Sequence, residues 1–251
     1  MQGETTMTSN ASFPQFYVQP VVLNRETHQD LTVSASPGRY AFAASAQSVV
    51  IASVEFFDAS RNFPVIFSPS QDGRVLPLVL MGLEAGENLF VDVKGNWLSP
   101  YIPAYVRRYP FITTDGADGQ MTVCFDDAFD GFNREGGMPL FENGEPSPKM
   151  NEIMGFLSDY FLRMKETEQF CAYLSQAGLL RPIEAQVNMA DGRRFNLSGM
   201  LVVDEQKMNQ LPDTEVVRLF RNGMLALINA HLISLRNLGN LMDRKAAKGA
   251  A

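Results

Sequence analysis

The stretch YIPAYVRRYPFIT, residues 101–113, carries the side chains whose types and spacing best suit a binding surface. On a helix, Tyr101 and Tyr105 are four positions apart and Arg108 follows after three more, so the three side chains share one face. Tyrosine and arginine together offer apolar area, hydrogen bonds and a cationic fork, a combination favoured in binding hot spots. If the face has a binding role, it borders a cleft for an acidic or aromatic ligand or a partner segment. The alternative is that the tyrosines fill the core while the arginines pair with carboxylates.

A second group of polar side chains interrupts an apolar, helix-like run, LINAHLISLRNLGNLM. His231 lies in this run with Asn229, Ser234 and Asn237, and such a group can form a polar site in a groove. His231 and Asn237 are therefore ligand-binding candidates. The alternative is a core histidine whose ring nitrogens are satisfied by hydrogen bonds.

A cluster of carboxylates lies near the middle of the chain, where Asp126, Asp127 and Asp130 are followed by Glu135. Hard cations such as calcium bind several carboxylate oxygens, but the spacing does not fit the known loop pattern of alternating aspartates followed by glycine. We expect solvated loop carboxylates and predict no metal site, although the sequence leaves cation binding by the three aspartates open.

The cysteines and histidines give no catalytic pattern. Cys124 and Cys171 lie in apolar surroundings and are expected to be buried, reduced thiols. His28 and His231 are far apart, and no Cys/His spacing indicates zinc. The nucleophile-elbow, phosphate-binding and dinucleotide-binding glycine motifs are absent from the sequence. No cofactor is predicted, catalytic residues are unknown, and whether the protein is an enzyme stays open.

The charge and hydropathy of the sequence argue against some classes of partner and location. The formal net charge is −7 and the pI about 4.9, whereas a nucleic-acid surface needs clustered lysine and arginine. The first ten residues lack a signal peptide's basic and apolar regions, and no apolar run is long enough to span a bilayer. We expect a cytoplasmic protein that is not membrane-embedded, with the cell surface, reached without a signal, as the alternative. Its partner would be a protein or a small-molecule ligand, and its oligomeric state stays open.

Two turn signals of the same kind indicate the elements that would position these residues. Asp72-Gly73-Arg74 and Asp191-Gly192-Arg193 each separate two strand-like runs, a strong hairpin signal. Connections this short make antiparallel pairs. The sequence therefore predicts an α+β fold with a mostly antiparallel sheet, two hairpin-containing units, and helices packed on one face.

The order of elements around the two hairpins is similar. Each hairpin leads to a Val-Asp, at Asp92 and Asp204, and a proline follows each aspartate after eight positions, at Pro100 and Pro212. We interpret this order as two helix–hairpin–strand–helix units, with an internal duplication or a chance alignment as the two explanations. The predicted organisation is a disordered tail at 1–12, a first unit at 13–125, a connecting loop at 126–147 and a second unit at 148–251.

The sequence also predicts three helices. The run AFAASAQSVVIASVEFFDASRN has helix-like spacing, with some strand character from Val49 to Ile51. A short helix should begin after Pro103 and end near Tyr109, because Pro110 disfavours helix in the residue before it. A long amphipathic helix should follow residue 147 and end at Gly178.

Five segments together resemble the SapC family: VVLNRETHQDL, GENLFVDVKGNWLSPYIPAYVRRYPF, LFENGEPSPKM, MADGRRFNLSGMLVVDEQKMNQLP and LINAHLISLRNL. The resemblance implies a bacterial protein associated with surface-layer genes, in gene neighbourhoods that also hold tryptophan-halogenase-like proteins and TonB-dependent receptors. It implies no catalytic residues, and it does not extend to the unrelated SapC peptide-import permease. We therefore expect a non-catalytic binding or assembly protein linked to the cell envelope or surface layer. The alternative is an enzyme or accessory protein that acts with a tryptophan-halogenase-like redox enzyme on an imported compound.

Overall fold

The structure, a computed structural model, describes residues 14–34, 39–70, 72–115, 121–133, 135–188, 192 and 194–249. The tail predicted at residues 1–12 lies outside the described residues, as do Asp191 and Arg193 of the second turn signal. All statements below concern the described part of the chain.

The strands and helices are short, apart from one long helix, Pro148–Gln176. In chain order the strands are β1 Pro20–Val22, β2 Thr32–Val33, β3 Ser48–Val50, β4 Val65–Pro69, β5 Val75–Leu80, β6 Phe111–Asp115, β7 Met121–Asp126, β8 Met138–Pro139, β9 Phe141–Glu142, β10 Glu145–Pro146, β11 Leu180–Asn188 and β12 Arg194–Val203. The α-helices are α1 Phe56–Ala59, α2 Ala104–Arg107, α3 Pro148–Gln176, α4 Glu205–Met208, α5 Asp213–Arg221, α6 Met224–Ser234 and α7 Asn237–Gly249. Every strand pair described is antiparallel, which confirms the predicted α+β class.

The chain divides into two compact units. The first unit comprises Met1–Ser34 and Tyr109–Met150, and the second comprises Ala35–Arg108 and Asn151–Ala251. The division predicted from the sequence, at 13–125, 126–147 and 148–251, follows repeated signals along the chain rather than contacts, and it stays a prediction.

A buried carboxylate organises the first unit, whose main sheet has the order β1-β7-β6. Asp126 at the end of β7 is fully buried, and it accepts hydrogen bonds from the main-chain N–H groups of Val18 and Gln19 and from the hydroxyl of Tyr109. Its neighbour Asp127 is exposed. The oxygens of Asp126 thus hold the segment before β1 against β7, which is a structural role.

The second unit contains a five-stranded sheet with the order β11-β12-β4-β5-β3. Both predicted hairpins lie in it, since β4 pairs with β5 across the Asp72-Gly73 turn and β11 pairs with β12 across residues 189–193. The two hairpins meet where Leu201 of β12 pairs with Phe67 of β4. The antiparallel hairpin predictions are therefore confirmed.

Two helices pack on the same face of this sheet. The ring of Phe67 lies 6.3 Å from that of Phe170 on α3 and 4.9 Å from the imidazole of His231 on α6. Phe56 of α1 contacts the rings of both phenylalanines, and all three phenylalanines are buried. Apolar burial of this kind contributes roughly 1.5–3 kcal/mol per side chain. The helices thus cover the face to which Phe67 points.

The prediction of a single helix for residues 41–62 is wrong. Ser48–Val50 forms strand β3 and pairs with β5, and α1 takes up only Phe56–Ala59. Valine side chains have restricted rotamers in helices and pack well on a pleated surface, so pairing at the sheet edge outweighs the helical spacing. The short helix predicted between Pro103 and Tyr109 is confirmed as α2.

The two Val-Asp segments share a hydrogen-bonding role but not the element that follows. Asp204 accepts from the N–H groups of Gln206 and Lys207 and so caps α4. Asp92 accepts from the N–H groups of Lys94 and Asn96, both at 2.8 Å, in a tight turn. Each aspartate thus caps or turns the chain locally, whereas the internal duplication stays a prediction.

Candidate functional site

A cleft lies on the face of the five-stranded sheet opposite the one that packs on α3. Neighbouring strand residues point to opposite faces, so Ile66 points away from the helix-covered side to which Phe67 points. Leu78 pairs with Ile66, and Leu80 pairs with Ser48, which places these four side chains in the cleft. We call this concave surface the sheet cleft.

The sheet cleft combines an apolar floor with a polar rim and encloses about 500 Å³. The floor consists of Ile66, Leu78, Leu80 and Met200, of which all but Leu78 are buried. The polar rim side chains are Gln47, Ser48, Ser68 and Ser198. Ligand pockets of about 300–1,000 Å³ are typically built in this way, with a few polar groups around an apolar surface.

A strand irregularity shapes one wall of the sheet cleft. The register of β11 against β12 shifts between the pairs Ile183–Met200 and Ala185–Leu197, so β12 bulges at Ser198 and Gly199. Gly199 has a φ of 73°, a conformation that glycine adopts without strain. The bulge places both residues in the lining of the cleft.

A group of ion pairs lies at one end of the sheet cleft. The Lys245 ammonium binds the carboxylates of Glu84 and Glu87, the latter at 2.7 Å, and Lys248 lies 3.9 Å from Glu87. Two carboxylates and two ammonium groups therefore balance one another. Glu84 and Arg194 are the charged residues of the cleft lining.

The structure brings Tyr105 and Arg108 together with Tyr160 of α3, and we call these three residues the Tyr–Arg group. The Arg108 guanidinium lies over the Tyr105 ring, 4.0 Å from its centroid, and 5.2 Å from that of Tyr160. Burial raises the pKa of Tyr160, and the positive charge of Arg108 opposes part of this rise. Arg108 thus stacks on aromatic rings of its own unit. This arrangement resembles the alternative in which these side chains pack within the protein.

Tyr101 has a separate partner. Its hydroxyl donates to the carboxylate of Glu55, which also accepts from the main-chain N–H groups of Ala104 at 2.7 Å and Ala52 at 2.8 Å. Burial and the negative charge of Glu55 raise the pKa of Tyr101. Tyr101 therefore helps to fix the start of α2, where Tyr105 and Arg108 are located.

Replacing Arg108 with alanine is expected to destabilise the protein by about 1–2 kcal/mol, because partly buried cation–π contacts are worth about that much. Thermal unfolding measures the loss, with Arg61→Ala as the control because Arg61 is exposed and its ion pair with exposed Asp58 is long, at 3.8 Å. An Arg108→Ala variant that melts with the wild type would contradict the packing role. It would favour the alternative that the arginine contacts a ligand.

His231 and Asn237 both bind main-chain groups. The Nε2 of buried His231 accepts from the N–H of Val203 at 3.1 Å, so Nδ1 carries the proton and donates to the carbonyl of Val65 at 2.9 Å. Burial lowers the pKa of His231 to about 4. Asn237 donates to the carbonyls of Ser60 and Phe63. Their hydrogen bonds thus join α6 and α7 to β4 and the segment before it.

The thiols and carboxylates show no arrangement for metal or nucleophilic chemistry within the described residues. Both cysteines are buried, and burial raises the pKa of Cys171 to about 12 and that of Cys124 above its usual value. In the same part of the chain, no three His, Cys, Asp or Glu side chains are placed to share a metal ion. None of its helices combines the length and apolarity needed to cross a bilayer.

One of the comparisons with known proteins finds a match. No curated protein and no solved structure matches the chain. A family model does match, and its match includes the whole lining of the sheet cleft, the Tyr–Arg group and His231. This is the model of SapC, which covers residues 23–241, and the chain therefore belongs to the SapC family.

Proposed function

We propose that this SapC-family chain is a non-catalytic binding protein that holds a small ligand in the sheet cleft. The observation that carries the proposal is the cleft itself, about 500 Å³ with a floor of isoleucine, leucine and methionine and a rim of serine and glutamine. A floor of this kind favours an apolar ligand body, while the rim hydroxyls and amide can bind its polar groups.

The surroundings of the usual catalytic side chains support a non-catalytic role. A cysteine acts as a nucleophile in its thiolate form, and raised pKa values keep Cys124 and Cys171 protonated near neutral pH. Both ring nitrogens of His231 are engaged by main-chain groups, so its imidazole is not available as a general base. The Tyr–Arg group stays a second candidate contact surface, which the Arg108→Ala experiment tests.

The test uses N-phenyl-1-naphthylamine, a neutral dye that fluoresces in apolar surroundings. We expect one dye molecule to bind per chain, and Ser68→Trp to weaken its binding at least about tenfold, a loss of about 1.4 kcal/mol. Ser68 is a rim residue, so the larger indole occupies the cleft without removing buried apolar area. Titration of dye fluorescence measures the affinity.

Ser175→Trp is the matched control, since Ser175 is exposed on α3 and outside the sheet cleft. This variant should bind the dye like the wild type. Equal dye affinity in the Ser68→Trp variant, or no dye binding by the wild type, would contradict a ligand site in the cleft.

A link to the cell envelope or surface layer forms the second part of the proposal, supported by the association of the SapC family with surface-layer genes. The location is proposed as cytoplasmic, with the cell surface as the alternative. Fractionation of the source cells, followed by immunodetection, decides between them. A surface pool favours a structural role in the layer, and a purely cytoplasmic pool favours a binding role before assembly.

A further inference from the structure

Helix α5 has a buried face and an outer face that is apolar at its centre. Leu219 is fully buried, whereas Val216, Val217 and Phe220 are 37%, 46% and 74% exposed. Residues three and four apart share one face of a helix, so both valines lie beside Phe220. Three exposed apolar side chains next to one another, with charged residues around them, are typical of an interaction surface.

The charged residues of α5 are ordered along the helix. The acidic residues Asp213 and Glu215 come first, and Arg218 and Arg221 come last. Glu215 and Arg218 have partners within the chain, because Glu215 accepts from the Tyr173 hydroxyl at 3.1 Å and lies 3.5 Å from the Arg218 guanidinium. Asp213 and Arg221 are exposed, and neither pairs with a charged side chain in the part of the chain that the structure describes.

The two remaining charges are placed symmetrically about Val217. Asp213 precedes Val217 by four positions and Arg221 follows it by four, so the three side chains form one stripe. If two copies of α5 pack antiparallel about a twofold axis at Val217, Asp213 of each copy faces Arg221 of the other, and Phe220 of each packs on Val217 of the other. A twofold interface requires a self-complementary surface of this kind. A second copy therefore matches the outer face of α5 in both charge and apolarity.

We propose that α5 is a homodimerisation surface, on which a second copy of the chain packs its own α5 in the antiparallel orientation. No residue of α5 lines the sheet cleft, so this inference is independent of the proposed function. A helix of nine residues is only about 13 Å long. An interface of this size gives a weak dimer, with a dissociation constant on the order of 10 µM.

Sedimentation equilibrium at chain concentrations from about 1 to about 500 µM measures the dimerisation. We expect the wild type to change from monomer to dimer across this range. Phe220→Ser should weaken the dimer at least about tenfold, because each dimer then loses two aromatic rings from the centre of its interface. Circular dichroism of each variant excludes unfolding as the cause of a loss.

Charge reversal tests the antiparallel pairing itself. Asp213→Arg and Arg221→Asp each place like charges opposite one another at both ends of the interface, so either variant alone should dimerise at least about tenfold more weakly than the wild type. An equimolar mixture of the two variants should dimerise like the wild type, because every facing pair is then opposite in charge. Asp243→Arg makes the same change at an exposed position of α7 and should leave dimerisation unchanged.

Three results would overturn the inference. A wild type that stays monomeric up to about 500 µM leaves the outer face of α5 to a different partner. A dimer that neither Phe220→Ser nor the charge reversals weaken forms through another surface. Single variants that are weakened but do not recover when mixed show that the two copies of α5 are not paired antiparallel. Dye binding in the sheet cleft, which tests the proposed function, should be the same in Phe220→Ser as in the wild type.

Discussion

Replacing Glu55 with alanine is expected to lower the free energy of unfolding by about 3–5 kcal/mol. Three donors would lose their acceptor, namely the N–H groups of Ala52 and Ala104 and the hydroxyl of Tyr101. A buried donor left without a partner costs about 1–3 kcal/mol. Glu55 is only 6% exposed, so water replaces the lost acceptor poorly.

The large effect follows from the position of Glu55 between two elements. Its carboxylate bonds back to the N–H of Ala52, at the start of the turn before α1, and also bonds the first N–H of α2. One side chain thus fixes two helical starts that are 52 positions apart, Ala52 and Ala104. Its removal should loosen α2 and the Tyr–Arg group as well as lower stability.

Urea denaturation measures the change, and two variants make it specific. Glu55→Gln keeps an acceptor oxygen and should lose about 1–3 kcal/mol, less than the alanine variant. Asp58→Ala removes a nearby exposed carboxylate whose pair with Arg61 is 3.8 Å long, and it should change stability by less than about 1 kcal/mol. If Glu55→Ala lowers the free energy of unfolding no more than Asp58→Ala does, the Glu55 carboxylate does not hold the two helical starts in place.

Local signals were sufficient to predict the hairpins. The Asp72-Gly73 turn was predictable because Gly73 has a φ of 81°, which glycine adopts readily, and the flanking runs are apolar. Pro103 and Pro110 likewise bracket α2, since proline restricts the backbone of itself and of the residue before it. In both cases the information lies within a few residues.

The sheet cleft could not be predicted, because it depends on contacts between distant segments. Its floor joins Ile66 and Leu78 of one hairpin to Met200 of the other, and the hairpins meet through the pair Leu201–Phe67. No local pattern specifies that pairing. A glycine inside a strand-like run was the one signal present, because Gly199 marks the bulge in the cleft wall.

The sequence likewise left the role of His231 open, because it predicts the apolar helix but not the hydrogen-bond partners of the imidazole. The acceptor carbonyl of Val65 is 166 positions away in the chain, and the donor N–H of Val203 is 28 positions away. The helix-like run around it, residues 227–242, also divides, because α6 ends at Ser234 and α7 begins at Asn237. Both facts required the tertiary structure.

Acidification is expected to destabilise the protein through His231 between pH 6.5 and about 4. The folded pKa of about 4 lies below the ordinary value of 6.5, because burial disfavours the charged ring. In this window the unfolded chain binds a proton that the folded chain does not, so stability falls as the pH decreases. Each pH unit corresponds to about 1.4 kcal/mol, so this histidine accounts for roughly 3 kcal/mol by pH 4.

The geometry explains why the folded state resists protonation. Near its contact with β12, strand β4 offers the carbonyl of Val65, and β12 offers the N–H of Val203; the imidazole ring spans the two. A protonated ring has two donors and no acceptor, so it would face the N–H of Val203 with another N–H. Protonation therefore breaks a buried hydrogen bond and places a charge in the core.

Urea denaturation at a series of pH values measures the effect, and His231→Gln removes it. Glutamine has one acceptor and one donor group but does not titrate, so its stability should decrease less steeply below pH 6.5. Carboxylates contribute equally to both proteins, and the difference between the two curves isolates the histidine. His28→Gln is the control for replacing a histidine elsewhere, because His28 lies in the first unit, where its Nδ1 accepts from the N–H of Asn24. Parallel curves for the wild type and His231→Gln would show that the buried imidazole does not resist protonation.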